Sequence, residues 1–453
     1  MKTIRIGGGQ GFWGDLNEAP VDIAENDAVD YIGCDYLAEL TLSIMSRQKE
    51  QNPQKGYAGD FIKVLREILP LLKEKSIKLI TNAGGVNVKG AVEAARQAVK
   101  NSGLDLKIGY VLGDDVKELI PELRKQGVQM KNMDSGEPVD KILPGMVNAN
   151  VYFGAEPIIE CLRGGADIII TGRATDTSLF LAPLAYEFGW PADDWNALST
   201  GILCGHLLEC GAQVTGGNYD FDWRAVPEPE RIGYPVAEVS QPGQLTLTKT
   251  KNMGGLVTTQ SVKEQLFYEI HNPEQYITPD VIADYSGIKI KTTDQDHVLL
   301  EGVRGKPRPD ALKLCIGYAE GYRNTAYLPY SWPDALEKAQ YAADILLKRL
   351  KNKNFRAEQV RMDYLGLNAL HGRLAHEIKN ELNEVVLRIS VKTKTMAEAE
   401  KLSPEIAPFI LNGPPGSCFF GGGRPKPEEV FALWPTLIPR EAVNLRSFVE
   451  EVK

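Results

Sequence analysis

The chain has 453 residues, 43% of them hydrophobic and 25% charged, with a net charge of −9, which is the make-up of a soluble protein of two or three domains. The charge is spread without a basic stripe, so the footprint expected for nucleic acid is missing. No stretch approaches the apolar length of a bilayer span and the start "MKTIRIGGGQ" has no apolar core of a signal peptide, so a cytoplasmic protein without membrane contact is expected.

In chain order, short apolar runs "TIRI", "VDYIGCD", "IKLITNAGG", "LKIGYVLGDD" and "ADIIITGRATD" alternate with amphipathic stretches at residues 61–75 and 88–100. That alternation predicts βα units around a mostly parallel sheet, whose ligands gather where strands end. The motifs "NAGG", "LGDD" and "TGRATD" all fall on such exits. Beyond about Asn218 the texture changes to "GQLTLTKT", "SGIKIKTT", "DHVLLEGVRG" and "LKLCIGYAEGY", which reads as antiparallel strands. Two helices are expected at residues 332–352 and 397–411. The expected fold is therefore α/β: residues 1–220 form a mostly parallel sheet with flanking helices, and residues 221–453 an α+β part with antiparallel strands, with the boundary between 220 and 280.

The first strand runs into "GGGQGFWGDLNEAP", where Gly9, Gly11 and Gly14 have the spacing G-x-G-x-x-G. In a dinucleotide site the helix starts at once, so that its amides face the pyrophosphate. Here the best helix start is Pro20, Trp13 adds bulk and Asp15 adds negative charge, so nicotinamide chemistry is not favoured. Two readings stay open for these glycines: a substrate loop, with Asp15 as a carboxylate and the amides of Gly8, Gly9 and Gly11 as oxyanion donors, or a turn that needs positive φ. Asn82, Gly84 and Gly85 at the third strand exit are candidates of the same kind.

The segment "GILCGHLLECGAQVTGG" places Cys204, His206, Glu209 and Cys210 within seven positions. On a helix His206 and Glu209 share a face, so the carboxylate could orient the imidazole for acid-base work. A buried helix with a hydrogen-bonded histidine fits the same pattern. In "TGRATDTS", Arg173 suits a substrate carboxylate and Asp176 either binds substrate or caps a helix. Arg308 and Arg424 stand in Gly/Pro loops that could clamp a carboxylate or a phosphate-bearing carrier, or serve as tight junctions. Cys34 and Asp35 end the second strand, with Glu39 one helical turn on, and Cys34 is expected to be a small buried residue. The six cysteines lack C-x-x-C and only five histidines are present, which suits reduced thiols and argues against a zinc site.

Taken together, "GFWGDLNEAPVDIA", "DYLAELTLSIM", "NAGGVN", "ITGRATDTSLFLAPL", "GHLLECGAQVTGGNY", "GKPRPDALKLCIGY", "NGPPG", "FGGGRP" and "WPTLIPR" make the sequence resemble the acyclic terpene utilisation family AtuA over nearly its full length. The resemblance implies catabolism of branched unsaturated acids handled as CoA thioesters, and a small companion subunit beside a homo-oligomer. The expected activity is that of a lyase, a hydratase or dehydratase on a small branched unsaturated carboxylic acid or its acyl-CoA. His206, Glu209 and Asp15 are the catalytic candidates, and Arg173, Asp176, Arg308 and Arg424 would hold the acid. A double-bond isomerase would use nearly the same parts, and an acyl-binding scaffold is the alternative from another class. No cofactor is called for, although Mg²⁺ bridging Asp15, Asp35 or Asp114 to a carboxylate is an open alternative.

Overall fold

The first apolar runs become five parallel strands: β1 (Ile4–Gln10), β2 (Tyr31–Cys34), β3 (Lys78–Thr81), β4 (Leu106–Leu112) and, after β5 (Met146–Val151), β6 (Ile168–Ile170). They lie in the order β1-β2-β3-β6-β4. The computed structural model describes residues 2–377, 380–418 and 423–453. Strands β2 and β6 are buried along their whole length, as parallel strands covered on both faces must be. Helices α1 (Ala19–Asn26), α2 (Glu39–Gln51), α3 (Gly59–Lys75) and α4 (Val88–Ser102) supply the core on one face. After the short α5 (Ile120–Lys125), helices α6 (Glu156–Arg163), α7 (Ser178–Phe188) and α8 (Trp195–Leu208) supply the other. The side chains of Asn87 and Asp194 accept amide hydrogen bonds at the starts of α4 and α8, satisfying donors that a helix start leaves free.

This arrangement fixes where a ligand can sit. Strands β3 and β6 are neighbours, but the chain leaves β3 for α4 on one face and β6 for α7 on the other. Between two strands whose connections part in this way a crevice opens at their carboxyl ends, the usual binding place of open α/β sheets. Thr81-Asn82 and Thr171-Arg173 border that crevice.

The antiparallel strands do not form a separate body after residue 220. Strand β7 (Pro235–Gln241) pairs along β1, with Ile4 opposite Val239 and Gly7 opposite Val236, and β8 (Gln244–Lys249) continues outward beside it. Helix α9 (Thr259–Phe267) and a small sheet follow. That sheet holds β9 (Tyr276–Ile277), β10 (Ile282–Asp284) and, later, β13 (Arg304–Lys306). Between β10 and β13 in the chain, β11 (Lys289–Asp294) and β12 (His297–Glu301) complete the edge beyond β8. The chain crosses into a second compact unit, Tyr318–Ala432, within β14 (Ala311–Ser331). The first unit is Met1–Gly317 with Leu433–Lys453, whose last strand β18 (Arg446–Val452) pairs antiparallel with β4. The break in the fold therefore comes near residue 318 and not between 220 and 280, because β7 finds its partner on β1.

The second unit follows a β-α-β-β-α-β path. From β14 it runs through α10 (Ala335–Asn352), β15 (Gln359–Leu365) and β16 (Glu384–Thr393) to β17 (Glu428–Pro439), with sheet order β15-β16-β14-β17. The helix expected at residues 397–411 is three short ones, α11 (Met396–Glu400), α12 (Ser403–Ile406) and α13 (Phe409–Asn412). Pro404 and Pro408 lack the amide hydrogens that a continuous helix needs.

The glycines of β1 are used for close packing. A Cβ on Gly8 would stand 2.5 Å from the Leu208 carbonyl oxygen at the end of α8, and one on Gly11 would lie 2.9 Å from the Glu209 carbonyl oxygen. Gly8→Ala should therefore destabilise the protein by about 1–3 kcal/mol. Gly59→Ala, where a Cβ meets nothing within 4 Å, should leave stability unchanged or raised. Urea denaturation of the two variants beside wild type measures the difference.

Candidate functional site

Charged side chains gather at the carboxyl ends of the parallel strands, most of them buried. Arg173 follows β6 and is 3% exposed. Its Nη1 donates to Asp176 Oδ1 at 2.6 Å and to the Ala174 carbonyl at 2.8 Å, and its guanidinium lies 4.1 Å from the centroid of the Tyr152 ring. Lys313 Nζ lies 4.8 Å from the same centroid and pairs with Glu39 at 3.1 Å. Two ion pairs thus share one aromatic ring, whose π face attracts both cations. Burial works against the Glu39 charge, but the Tyr152 hydroxyl beside it, Lys313 and Arg173 outweigh that effect and bring its carboxyl down to about 2.

Asp35, at the end of β2, is the carboxyl left over. Burial pushes its proton affinity well above the ordinary range, the Asp176 charge adds to the rise, and Arg173 and the bonds from Leu37 N and Asn82 offset it only in part. One guanidinium cannot neutralise two carboxylates, and Asp176 has the contact. Burial and the Asp176 charge therefore bias Asp35 toward the neutral acid. Asn82 at the end of β3 fixes its place, donating through Nδ2 to Asp35 and accepting the Tyr36 amide at Oδ1, 2.7 Å away.

Asp114, at the end of β4, accepts from Arg173 N at 2.9 Å and from Asn150 Nδ2 at 3.0 Å. Asn150 Oδ1 in turn accepts from Asn148, and Asn148 Oδ1 from Ser43. This buried amide ladder ties α2 and β5 to the loop that carries Arg173.

His206 and Glu209 stand at the end of α8. His206 Nε2 faces the Leu266 carbonyl at 3.2 Å and Nδ1 faces Glu209 Oε1 at 3.1 Å. A carbonyl only accepts, so Nε2 carries hydrogen and the remaining proton is shared between Nδ1 and Glu209. Burial raises the Glu209 carboxyl, His206 opposes the rise and the Asp176 charge adds to it. Asp176 therefore acts electrostatically on both Asp35 and Glu209. Its own side chain is 31% exposed, so with the part-exposed Glu39 and Lys313 it forms the accessible edge of a cluster in which Arg173, Asp35, Asp114 and Glu209 are buried.

Five buried polar atoms at this end of the sheet have no hydrogen-bond partner among the described residues: Gln10 Oε1, Tyr36 Oη, Tyr152 Oη, Arg173 Nε and Glu209 Oε2. Unpartnered buried groups are costly and uncommon, and their concentration at strand exits marks a place for a ligand.

The other expected residues have different surroundings. Asp15 is spent in its own loop: Oδ2 accepts from Gly11 N at 2.9 Å, and Oδ1 accepts from Leu16 N at 2.8 Å and Tyr234 Oη at 2.6 Å. The Gly11 amide is thereby taken, the Gly84 amide donates to the Thr171 carbonyl and the Gly85 amide to the Asn82 carbonyl. Gly8 and Gly9 lie within β1, where a bulge between Gly8 and Gln10 interrupts the pairing with β2. These amides are structural donors. Arg308 lines a separate cavity with Asp280 and Arg440. Arg424 is exposed in the second unit, and residues 419–422 of its Gly/Pro loop lie outside the described residues. Burial drives the thiols of Cys34, Cys204 and Cys210 far up, away from the thiolate a nucleophile needs. Among the described residues no group of three or more His, Cys, Asp or Glu has the arrangement of a metal site. Nor is any helix there long and apolar enough to cross a membrane.

Glu39, Tyr152 and Lys313 come from α2, the end of β5 and β14, and the order of residues gives no sign that they meet. Asp35 carried a signal, being an acid at the exit of a buried strand.

The model of the acyclic terpene utilisation family protein AtuA matches residues 4–449, and the chain belongs to that family. No curated protein and no solved structure matches it.

The neutral state of Asp35 has a consequence for stability. A carboxyl whose folded affinity for the proton is raised keeps its proton in the native state while the unfolded chain loses it above about pH 4. Stability then falls as pH rises from there through the folded value. Asp35→Asn keeps an acceptor for Asn82 and removes the titration, so it should be more stable than wild type at neutral and alkaline pH, with a flatter profile. Denaturant midpoints of the pair across pH 4 to 9 check the sign.

Proposed function

We propose that this member of the acyclic terpene utilisation family is an acid-base lyase, hydrating or dehydrating a branched unsaturated carboxylic acid or its CoA thioester. The family's place in acyclic terpene utilisation supports branched acids as the substrate class. The observation that carries the reading is a cluster in which Asp176 pairs with the buried Arg173 and acts electrostatically on the carboxyls of both Asp35 and Glu209, with Arg173 Nε and Glu209 Oε2 unpartnered among the described residues.

Hydration of a double bond conjugated to a carbonyl needs three things: a base that takes a proton from water as its oxygen bonds to the β-carbon, an acid that protonates the α-carbon, and a donor for the charge that collects on the carbonyl oxygen. In the proposed assignment Glu209, held by His206, takes the proton from water, and Asp35 gives its proton to the α-carbon. Arg173 Nε donates to the carbonyl oxygen, and its positive charge, buried in a low-dielectric setting, stabilises the enolate. Dehydration is the same path reversed. Asp176 positions Arg173 and raises the proton affinity of both carboxyls. Hydration starts with Glu209 ionised, His206 opposing the rise that burial gives it, and Asp35 protonated; in dehydration the two exchange roles as acid and base.

The assay follows the absorbance of the conjugated double bond on branched enoyl-CoAs and on unsaturated C4 to C6 acids. Asp35→Asn and Glu209→Gln should each lower kcat/KM by about 10²- to 10⁴-fold, and His206→Ala should lower it through Glu209, with all three variants folded. Product analysis for an added hydroxyl separates a hydratase from a double-bond isomerase. Wild-type rates in folded Asp35→Asn would overturn the assignment.

A further inference from the structure

A second polar cavity lies in the first unit, away from the carboxylates described above. It has a volume of about 280 Å³, and its walls include Gly154, Glu156, Asp280, Arg308 and Arg440. Its construction repeats the logic of the strand-exit cluster with different parts. Asp280 Oδ1 accepts the Ala155 amide at 2.9 Å at the start of α6, while its Oδ2 is buried without a partner among the described residues. Gly154 is required there, because a Cβ would overlap the Asp280 carboxyl. Arg440 is anchored by Nη2, which donates to the carbonyls of Pro279 at 2.6 Å and Pro309 at 3.1 Å. Its Nε is likewise buried and unpartnered among the described residues.

The charges make the case sharper. Burial lowers the proton affinity of Arg440 and the neighbouring Arg308 lowers it further, against Asp280, Glu156 and Asp310. Two guanidinium groups near enough to oppose each other's charge form a poor arrangement by themselves and a good one around an anion. Arg308 is exposed and free to close on a ligand, whereas Arg440 is fixed by its two carbonyls. Glu156 and Glu160 at the rim disfavour a highly charged anion such as a nucleotide. Leu312, Val443 and Leu445 supply apolar wall, so the occupant has a carbon skeleton, and the volume, at the low end of small-ligand pockets, admits a small acid together with water.

We propose that this cavity is a second binding site, for a small hydroxycarboxylate. Its carboxylate sits between Arg308 and Arg440 and accepts from Arg440 Nε, and its hydroxyl donates to Asp280 Oδ2. Each unpartnered atom then has a partner, and the ligand's negative charge together with that of Asp280 offsets the two guanidinium groups. The site stands independently of the lyase reading, since none of its residues takes part in that chemistry.

The probes are lactate and 3-hydroxybutyrate, with acetate and inorganic phosphate as comparisons, in titration calorimetry on the full chain. Both hydroxy acids should bind wild type and Asp35→Asn alike, and acetate should bind more weakly. Arg308→Ala, at an exposed position that folding does not require, should weaken the hydroxy acids about tenfold or more. Asp280→Asn should remove their advantage over acetate. Binding lost in Asp35→Asn and kept in Arg308→Ala would assign the ligand to the strand-exit cluster and overturn the proposal. So would the absence of binding to wild type, or phosphate binding as tightly as the hydroxy acids.

Discussion

The rest of the candidate site depends on one buried positive charge. A guanidinium withdrawn from water is tolerated only when its charge and its donors are met, and the surroundings of Arg173 are organised to do so. Asp176 takes the charge, the Ala174 carbonyl takes a donor, and the Tyr152 ring covers the flat face. Burial and the Asp176 charge, with that one guanidinium committed elsewhere, bias Asp35 toward keeping its proton. Because Lys313 serves Glu39 on the other side of the same ring, Glu39 loses its own. Two acids a few residues apart in sequence are thus set in opposite protonation states by which cation each can reach, the kind of division that acid-base catalysis uses.

The backbone makes this arrangement possible. Adjacent parallel strands send their connections to opposite faces, and Asp35, Asp114, Arg173 and Glu209 stand just beyond the carboxyl ends of β2, β4, β6 and α8, while Glu39 opens α2 and Lys313 lies near the start of β14. The glycines of β1 let that strand lie against the end of α8, which brings Glu209 to the same end of the sheet. Their bare backbone thus sets the distance between β1 and α8. Asp15, which closes its loop on Gly11, Leu16 and Tyr234, preserves that approach. The second cavity shows the same economy: Gly154 makes room for a carboxyl whose second oxygen is left for a ligand.

Much of the fold was legible in the sequence. The alternation of apolar runs with amphipathic stretches reports the parallel sheet directly, since strands covered on both faces have few polar residues. The pairing of His206 with Glu209, and of Arg173 with Asp176, was legible too, because each pair is three residues apart on local structure. The partnership of β7 with β1 was not, since it joins segments more than 200 residues apart and moves the break in the fold to residue 318. The same limit hid Tyr152, Glu39 and Lys313, which meet only in the folded chain. Glycine-rich sequence was ambiguous in another way. Bare backbone serves close packing as well as ligand approach, and only the neighbours of Gly8 and Gly11 decide between the two.

The central claim is that Asp35 is a neutral carboxylic acid in the folded protein at neutral pH. Infrared difference spectroscopy of wild type against Asp35→Asn measures it directly, through the carbonyl stretch of a protonated carboxyl. The account expects a protonated-carboxyl band in wild type at pH 7 that is absent from the variant and persists well above the pH at which an exposed aspartate ionises. A difference spectrum showing only the carboxylate bands of an ionised Asp35 at pH 7 would contradict it.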